Sequence, residues 1–199
     1  MPASSRSSAS KRFTDDLESA EAVIMGMGAT IEARDPSTNG HCQRLAHYVT
    51  RLGRALNLDE SDLAALERGG FLHDIGKIAV PDSVLLKKGQ LDPYESRVMR
   101  KHPIVGDGLC SGLRSLIKVR PIVRHHHERL DGTGYPDGLR NGEVLLLAQI
   151  VGLLTCSTRS RRNAPIARHS RPTPPFRCSP TNRPEDGATA SWWTPLSMW

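Results

Sequence analysis

Two histidine-bearing stretches constrain the fold of this chain more than any other feature. The first is His73-Asp74-Ile75-Gly76-Lys77, and the second is His126-His127-Glu128, which runs into a loop containing Gly132-Thr133-Gly134-Tyr135-Pro136. Imidazole nitrogen suits divalent transition metals, and glycine lets the backbone approach a ligand closely. A His-His pair alone is more often a surface or packing feature. Here the pair is accompanied by His73-Asp74 upstream, and this combination favours a metal site.

Apolar residues recur at helical spacing along most of the chain. A first helix is predicted from an N-cap at Thr14 to Asp35-Pro36. The pattern predicts further helices over 40–56, 61–72, 83–87, 93–102, 121–127 and 144–154. Pro103 is expected to stop the fourth of these. No run of alternating β-branched residues is present, so the fold is predicted to be all-α.

The length of 199 residues fits one domain with a sizeable core. Residues 1–12 are Ser-rich and are predicted to form a disordered leader, without the apolar core of a secretion signal. No run of about 18 apolar residues is present, so no membrane partner is expected. The four cysteines form no CxxC pair, which favours a reduced, cytoplasmic location.

The basic charge is concentrated in the last part of the chain. The formal net charge is +6, yet residues 159–199 hold seven arginines against Glu185 and Asp186, which gives +5 in that part alone. The same part holds seven of the 14 prolines and all three tryptophans. The charge therefore lies outside the region with helical periodicity, and no nucleic-acid partner is predicted.

Residues 155–199 differ in composition from everything before them. Arg, Pro, Ser and Thr dominate and helical periodicity ends, which is typical of a low-complexity, disordered tail. A reading-frame error is the sharper interpretation, because codons permitted for Thr155 to Ser170, read in a shifted frame, give DVFDALTTERPYRKAL. Under that interpretation the helical domain, residues 13–154, is incomplete at its C-terminal end.

The two histidine-bearing stretches together resemble the HD-GYP family, a subgroup of the HD phosphohydrolases. His73-Asp74 matches the HD motif and Gly134-Tyr135-Pro136 the GYP motif, in the right order, and the resemblance covers roughly residues 30–154. It implies an HD-type helical bundle around a metal centre, and hydrolysis of cyclic di-GMP to pGpG or onward to GMP. The shifted-frame sequence is similar to the helix and RPY segment that follow the GYP loop in the family.

The resemblance also implies two divalent transition-metal ions, with iron or manganese expected. The first ion would take His41, His73, Asp74 and a later aspartate. The second would share Asp74 and take three further histidines, His102, His126 and His127. Catalytic roles are implied for Asp74 and Lys77, with the lysine directed at a phosphate oxygen as a charge stabiliser or a proton donor. Substrate binding is implied for Lys77 and four loop residues, Gly132, Gly134, Tyr135 and Pro136.

Taken singly, each predicted ligand could have an ordinary structural role. His41 beside Leu45 could be a buried core histidine, and His102 before Pro103 could be a helix C-cap. Lys77 could be a surface lysine. Taken together, five histidines and one aspartate at family positions favour a metal site.

The residues around the GYP motif carry weaker expectations. Tyr135 could stack on a guanine or pack under the loop. Glu128 is a candidate to orient a ligand histidine from behind. His125 matches no ligand position of the family and is expected to be a bystander.

Two positions depart from the family pattern. Ser37 stands where members with three metals carry a glutamate, so two ions are expected. Thr155 stands where the final aspartate ligand falls, and a neutral hydroxyl is a poor replacement for a carboxylate. The activity of this form is therefore expected to be impaired.

Three functions stay open on this reasoning. The first is a cyclic di-GMP phosphodiesterase, and the second is a degenerate relative that binds a nucleotide or a partner without turnover. The third is a hydrolase of another guanine nucleotide, against which the GYP loop argues. Family members are often coupled to sensor, receiver or GGDEF-type domains, so such a partner is implied, and a homodimer stays open.

Overall fold

The computed structural model describes residues 4–35 and 40–162, with side chains within 19–35 and 40–156. These ranges contain no β-strand, and one isolated antiparallel bridge joins Asp131 and Arg140. The helices are α1 Ser4–Arg34, α2 His41–Ala55, α3 Glu60–Leu72, α4 Asp82–Leu85, α5 Pro93–Met99, α6 His102–Cys110, α7 Arg120–His125 and α8 Leu146–Arg162, with 3₁₀ helices at Ile75–Ala79 and Arg114–Leu116. The prediction of an all-α fold is confirmed.

The core lies where α2, α3, α7 and α8 meet. Leu45 and Val49 of α2, Leu66 of α3, Val123 of α7 and Val151 of α8 are completely buried. Burial of an apolar side chain of this size stabilises a fold by roughly 1.5–3 kcal/mol. The core therefore ties together the helices whose ends carry the histidines of the two motifs.

The first helix begins earlier than predicted. α1 starts at Ser4, so Thr14 lies inside the helix rather than at its N-cap, and residues 4–12 of the predicted disordered leader are helical. The chain contains neither proline nor glycine from the start of α1 to Met25, so no helix breaker separates the leader from the helix. The predicted end is confirmed, because α1 stops at Arg34.

Pro103 begins a helix rather than ending one. α5 starts as predicted, with the Asp92 carboxylate and the Glu95 side chain forming a reciprocal capping box, and it ends at Met99. α6 then starts at His102, with Pro103 in its first turn, where the missing N–H of proline would have no helical partner anyway. The expectation that Pro103 stops a helix, and the alternative of His102 as a C-cap, are both wrong.

The last described helix continues past its predicted end. α8 runs through Leu154 to Arg162, so residues 155–162 of the predicted tail are helical. They contain no proline or glycine, and the helix extends into them although their apolar periodicity is lost. Residues 163–199 and Ser37 lie outside the described residues. No helix in the described part is both long and apolar enough to cross a membrane.

Candidate metal centre

The HD motif lies where α3 gives way to a 3₁₀ helix. α3 is capped at its N-terminus by Asp59, whose carboxylate accepts the backbone N–H of Asp62 at 2.7 Å, and it ends at Leu72. His73 is completely buried, and Asp74 directly precedes the 3₁₀ helix. His73 Nε2 lies 3.2 Å from Asp74 Oδ2. The two side chains of the motif therefore contact each other at the end of α3.

Gly76 allows α6 to approach the HD motif. A Cβ at this position would collide with the carbonyl oxygen of His102 and would lie 2.6 Å from the backbone nitrogen of Gly106. Only glycine therefore lets the first turn of α6 pack against the 3₁₀ helix. In this arrangement His102 Nε2 lies 3.2 Å from Asp74 Oδ1.

The second motif follows α7 and is supported by α8. α7 ends at His125, and His126 and His127 come next. A Cβ at Gly152 would lie 2.6 Å from the carbonyl oxygen of His126, so glycine permits the close contact between α8 and this turn. His126 is buried, and its Nε2 lies 3.9 Å from Asp74 Oδ1. Three separate helix ends thus bring their side chains to one carboxylate.

Four side chains converge on one point. Asp74, His102, His126 and His127 each offer a ligand atom, and these atoms all lie within 4.8 Å of one another. We call these four residues the four-ligand cluster. They are the set that the family resemblance gives to the second ion. One carboxylate with three imidazoles suits a divalent transition metal, so the cluster fits a divalent cation.

The tautomers of three histidines can be deduced from their hydrogen bonds. Nδ1 lies 2.8 Å from Gly70 O in His73, 2.9 Å from Met99 O in His102 and 2.9 Å from Val123 O in His126. A carbonyl oxygen only accepts, so Nδ1 donates and Nε2 keeps its lone pair. Nε2 of His73 is buried without a hydrogen-bond partner. A buried lone pair of this kind fits a metal ligand.

The charges around the cluster favour neutral imidazoles and an ionised carboxylate. Burial, and then the neighbouring His127, hold the pKa of His126 well below its usual value. Burial and then His102 lower the pKa of His127 to about 3. Burial by itself would raise the pKa of Asp74, but the ammonium of Lys77 beside it holds that pKa well below its usual range. These are the protonation states that bind a metal near neutral pH.

His41 lies beside His73 rather than within the four-ligand cluster. It is the first residue of α2, it is nine-tenths buried, and its ring centroid lies 5.6 Å from that of His73. The ring centroid of His73 lies 5.2 Å from that of His126. The structure therefore gathers the six predicted ligands into one group, with four converging and His41 reaching it through His73.

Thr155 offers this centre no charged ligand. Its hydroxyl donates to the carbonyl oxygen of Val151, one turn earlier in α8, at 2.8 Å. A serine or threonine side chain in a helix commonly makes this bond. The residue expected to depart from the family pattern is thus a neutral group bonded to its own helix.

Lys77 pairs with Asp74 at the edge of a small cavity. The distance from Lys77 Nζ to Asp74 Oδ2 is 2.6 Å, and only 16% of the lysine side chain is exposed. The cavity lies beside α1 and is lined by both residues together with His41 and Glu32. So much burial does not fit the alternative of a surface lysine, and the ion pair holds the ammonium next to the metal-binding carboxylate.

The GYP loop, residues 130–142, folds back onto the four-ligand cluster. A Cβ at Gly134 would collide with the backbone of Glu128 and Arg129, so glycine is required for this approach. The Tyr135 ring stacks on His127, with centroids 4.6 Å apart and planes at 20°. The guanidinium carbon of Arg100 lies 5.0 Å from the centroid of the same ring. These neighbours favour the packing interpretation of Tyr135 over stacking on a guanine.

Glu128 holds the loop rather than a histidine. Its carboxylate accepts backbone N–H groups from three successive residues, Asp137 at 2.6 Å, Gly138 at 3.1 Å and Leu139 at 3.0 Å. The expectation that it orients a ligand histidine is therefore wrong. It fixes the far end of the GYP loop to the turn that carries His126 and His127.

Two residues outside the motifs complete this loop contact. Asp137 accepts two hydrogen bonds from Arg124, at 2.7 and 2.9 Å, and lies 2.9 Å from Nε2 of His125. His125, expected to be a bystander, is thus part of the loop anchor although it is not in the four-ligand cluster. Sequence analysis missed Asp137 and Arg100, because single charged residues outside helical patterns and motifs carry no spacing signal.

A family model described as HD domain matches residues 27–158 of the chain. This span contains all six predicted metal ligands and the whole GYP loop. It leaves out the basic part of the chain that follows, which agrees with the abrupt change of composition there.

Similar proteins among curated sequences are named phosphodiesterases. A cyclic di-GMP phosphodiesterase response regulator, RpfG, of Xanthomonas campestris pv. campestris is 41% identical over 133 residues, which are 66% of this chain and 35% of the relative. A 3′3′-cGAMP-specific phosphodiesterase 3 of Vibrio cholerae is 34% identical over 131 residues, 66% of this chain and 28% of the relative. A cyclic di-GMP phosphodiesterase of Thermotoga maritima is 34% identical over 143 residues, 71% of this chain and 39% of the relative. The chain thus spans about a third of the length of these relatives.

Proposed function

Because the chain belongs to the HD domain family, and its resemblance to the HD-GYP type is confirmed, we propose that it is a metal-dependent phosphodiesterase of cyclic dinucleotides. Cyclic di-GMP is the proposed substrate, with pGpG as the first product and GMP as a further one. The observation that carries the proposal is the four-ligand cluster, in which imidazole lone pairs meet a carboxylate beside a buried lysine.

We assign two ions to the centre, iron or manganese. His102, His126 and His127 would hold one ion with Asp74, and His41 and His73 would hold the other with the same carboxylate. A bound divalent metal supplies positive charge to a phosphate and lowers the pKa of a water. Neutral imidazoles leave that positive charge uncancelled, so an anionic substrate is attracted to the site.

We assign to Lys77 the role of stabilising negative charge on the scissile phosphate. Its ammonium contacts Asp74, and it borders a cavity that also reaches His41. A phosphate whose oxygens approach the ions would come within reach of the same ammonium. A fixed cation contributes most where negative charge develops in a site with little water.

The GYP loop would form the wall of the substrate cleft. Gly132, Gly134, Tyr135 and Pro136 lie in the segment that Glu128 ties down at its far end, and Tyr135 packs on a ligand histidine. A loop fixed in this way can hold a substrate in one orientation without paying an ordering entropy during binding. We therefore keep these four residues as substrate-binding residues.

The proposed domain runs over residues 13–154 and is incomplete at its C-terminal end. Residues 155–199 would then be a frame-shifted segment, in which Thr155 replaces a carboxylate ligand. One ion would bind weakly, and turnover would be low in this form. The hydroxyl of Thr155, bonded to its own helix, supports a second candidate function, namely nucleotide or partner binding without turnover.

Partners and location follow from the same proposal. One relative is named a response regulator, which supports a sensor, receiver or GGDEF-type partner for this chain. A cyclic dinucleotide is a second messenger inside the cell, so we place the protein in the cytoplasm, as a monomer or a homodimer.

The test combines turnover with metal content. Manganese-loaded protein is incubated with cyclic di-GMP and with 3′3′-cGAMP, because relatives are named for each. We expect slow cleavage of cyclic di-GMP that is lost in His126→Ala and kept in His47→Ala, an exposed histidine outside the cluster. If 3′3′-cGAMP is cleaved faster than cyclic di-GMP, 3′3′-cGAMP would be assigned as the substrate instead. Binding of either nucleotide by the metal-loaded chain without any cleavage would establish the second candidate instead.

A further inference from the structure

Arg100 is placed at the rim of the metal centre by an aromatic contact. It lies in the connection between α5 and α6, two residues before His102, and its side chain belongs to an exposed residue. Its guanidinium carbon is 5.0 Å from the ring centroid of Tyr135, and that centroid is 4.6 Å from the ring centroid of His127. The ring of Tyr135 therefore links the exposed Arg100 to His127 of the four-ligand cluster.

Arg100 differs from the arginines elsewhere in the described bundle. Several of them are paired with a carboxylate, for example Arg34 with Asp82 at 2.6 Å and Arg68 with Glu21 at 2.6 Å. Arg100 makes no ion pair with any described carboxylate and is held by a ring instead. A guanidinium that lies over an aromatic face still presents its N–H donors along its edge. Those donors suit a planar or tetrahedral anion that binds through two oxygens.

The substrate of the proposed function needs a second cation. A cyclic dinucleotide carries two phosphates, and only one of them can be cleaved at the ions at a time. The ammonium of Lys77 is already paired with Asp74 at 2.6 Å and serves the centre itself. The second phosphate, held several bonds away on a rigid ring, must meet another charge at the rim. Arg100 is a described cation that contacts Tyr135 of the GYP loop and makes no ion pair with a described carboxylate.

We propose that Arg100 binds the phosphate of the cyclic dinucleotide that is not being cleaved, and that Tyr135 holds the guanidinium in place for it. This inference rests on the proposed function and assigns to it a specificity-determining residue. The stack from His127 through Tyr135 to Arg100 fixes the separation between the ions and the second anion site. Substrates with two suitably spaced phosphates therefore bind better than simple phosphodiesters.

The experiment measures kcat and KM on three substrates with the full-length, manganese-loaded chain. Cyclic di-GMP and cyclic di-AMP carry two phosphates with different bases, and bis(p-nitrophenyl) phosphate carries one phosphate and no base. We expect Arg100→Ala to raise KM for both cyclic dinucleotides roughly tenfold to a hundredfold, the range for a lost charged hydrogen bond. The same variant should leave kcat/KM for bis(p-nitrophenyl) phosphate and the metal content unchanged.

Two further variants serve as matched controls. Arg100→Lys keeps the charge but loses the flat, two-pronged donor set, so it should recover only part of the affinity. Arg97→Ala removes an exposed arginine of α5 that lies over Tyr94, at 6.0 Å, and it should change nothing. Direct titration with a phosphorothioate analogue of cyclic di-GMP should repeat the same order of affinities.

The outcomes separate this inference from the proposed function. If the wild-type chain neither binds nor cleaves a cyclic dinucleotide, the proposed function fails and this inference fails with it. If the wild-type chain acts on cyclic dinucleotides and Arg100→Ala matches it, only the inference is overturned. A KM effect confined to guanine-containing substrates would assign Arg100 to a base edge and overturn the phosphate assignment. An equal loss on bis(p-nitrophenyl) phosphate would show damage to the centre and would also overturn it.

Discussion

The two sides of the centre differ in how completely their ligands are supplied. On one side the four-ligand cluster brings three imidazoles to the carboxylate of Asp74, with all ligand atoms within 4.8 Å. On the other, His41 lies edge-on to His73 with ring centroids 5.6 Å apart, and Thr155, which we propose stands in place of an aspartate ligand, is neutral. The first side is built by contacts among helix ends, whereas the second, in the proposed arrangement, depends on a ligand from α8.

This difference indicates that packing of the helices can position all the ligands of one metal site while the neighbouring site lacks one ligand. Close packing at Gly76 and Gly152 fixes the helix ends that carry His102 and His126, and neither contact needs the residue at position 155. A missing carboxylate therefore removes charge from one side without changing the packing of the other. Variants that act on both sides should consequently have larger effects than variants that act on one.

The largest effect is expected at Asp74, because both sides share it. Asp74→Ala should remove both ions and reduce turnover by more than roughly 10³-fold, since loss of a single electrostatic donor already costs about 10²–10³. His126→Ala should remove the ion of the four-ligand cluster and leave weak binding by His41 and His73. Metal content by mass spectrometry compares the two variants with wild type. Equal metal content in all three proteins would remove the basis for the site assignment.

Lys77 should affect the chemistry and leave both ions in place. Lys77→Ala should lower kcat by roughly 10²–10³ with unchanged metal content, because the ammonium stabilises charge on the phosphate and does not bind a metal. Lys87→Ala, which removes a lysine paired with Glu95 on the surface, is the matched control. Full activity of Lys77→Ala would return this residue to a structural role as the partner of Asp74.

Substitution of Glu128 should loosen the GYP loop, which packs on the four-ligand side of the centre. Glu128→Ala removes the acceptor of three backbone N–H groups and should destabilise the fold by about 1–3 kcal/mol. Glu143→Ala removes an acceptor of one backbone N–H, that of Arg140, and should cost less. Urea unfolding of the metal-free proteins measures both. A larger loss in Glu143→Ala would show that Glu128 is not the anchor of the loop.

The loop anchor should also depend on pH through Asp137. The hydrogen bond from Arg124 lowers the pKa of Asp137 against the effect of burial, and His125 contributes in the same direction. A carboxyl with a lowered folded pKa stabilises the fold above its unfolded pKa of about 3.9, and the effect disappears as the pH falls through the folded value. Asp137→Asn should therefore be less stable than wild type by up to about 1 kcal/mol at pH 7, a value discounted for solvent exposure.

Unfolding curves at pH 7 and below pH 4 measure this difference. It should shrink as the pH falls below the unfolded pKa and vanish below the lowered folded pKa of Asp137, where the wild-type side chain is neutral like the asparagine. A difference that stays constant across this range would mean that the charge of Asp137 does not hold the loop.

Much of the fold and of the centre could be predicted from the sequence, for physical reasons that can be named. Helical periodicity gave the helices, because an apolar stripe must be buried on one face. The motif residues predicted a cluster of possible metal ligands, because few side chains suit a divalent metal, and four of them do lie together. The boundaries failed where a local signal was ambiguous. Thr14 can cap a helix or lie within one, and Pro103 can end a helix or begin one.

The remaining errors concern contacts between residues far apart in the chain. Glu128 holds the backbone of residues 137–139, and Arg100 reaches Tyr135 of the GYP loop. Neither contact leaves a spacing pattern in the sequence, because both depend on how the loop folds back. Side-chain roles that arise from tertiary approach therefore become visible only once the helices have been placed.

The central claim, that Thr155 leaves one side of the centre unfinished, is tested most directly by counting bound ions. The 199-residue chain, Thr155→Asp and a frame-restored chain continuing DVFDALTTERPYRKAL are dialysed against limiting manganese, and metal per chain is measured. We predict one tightly held ion in the first, a second ion of intermediate affinity in Thr155→Asp, and two tight ions with the highest cyclic di-GMP turnover in the restored chain. Two tight ions and equal turnover in the 199-residue chain would contradict this claim.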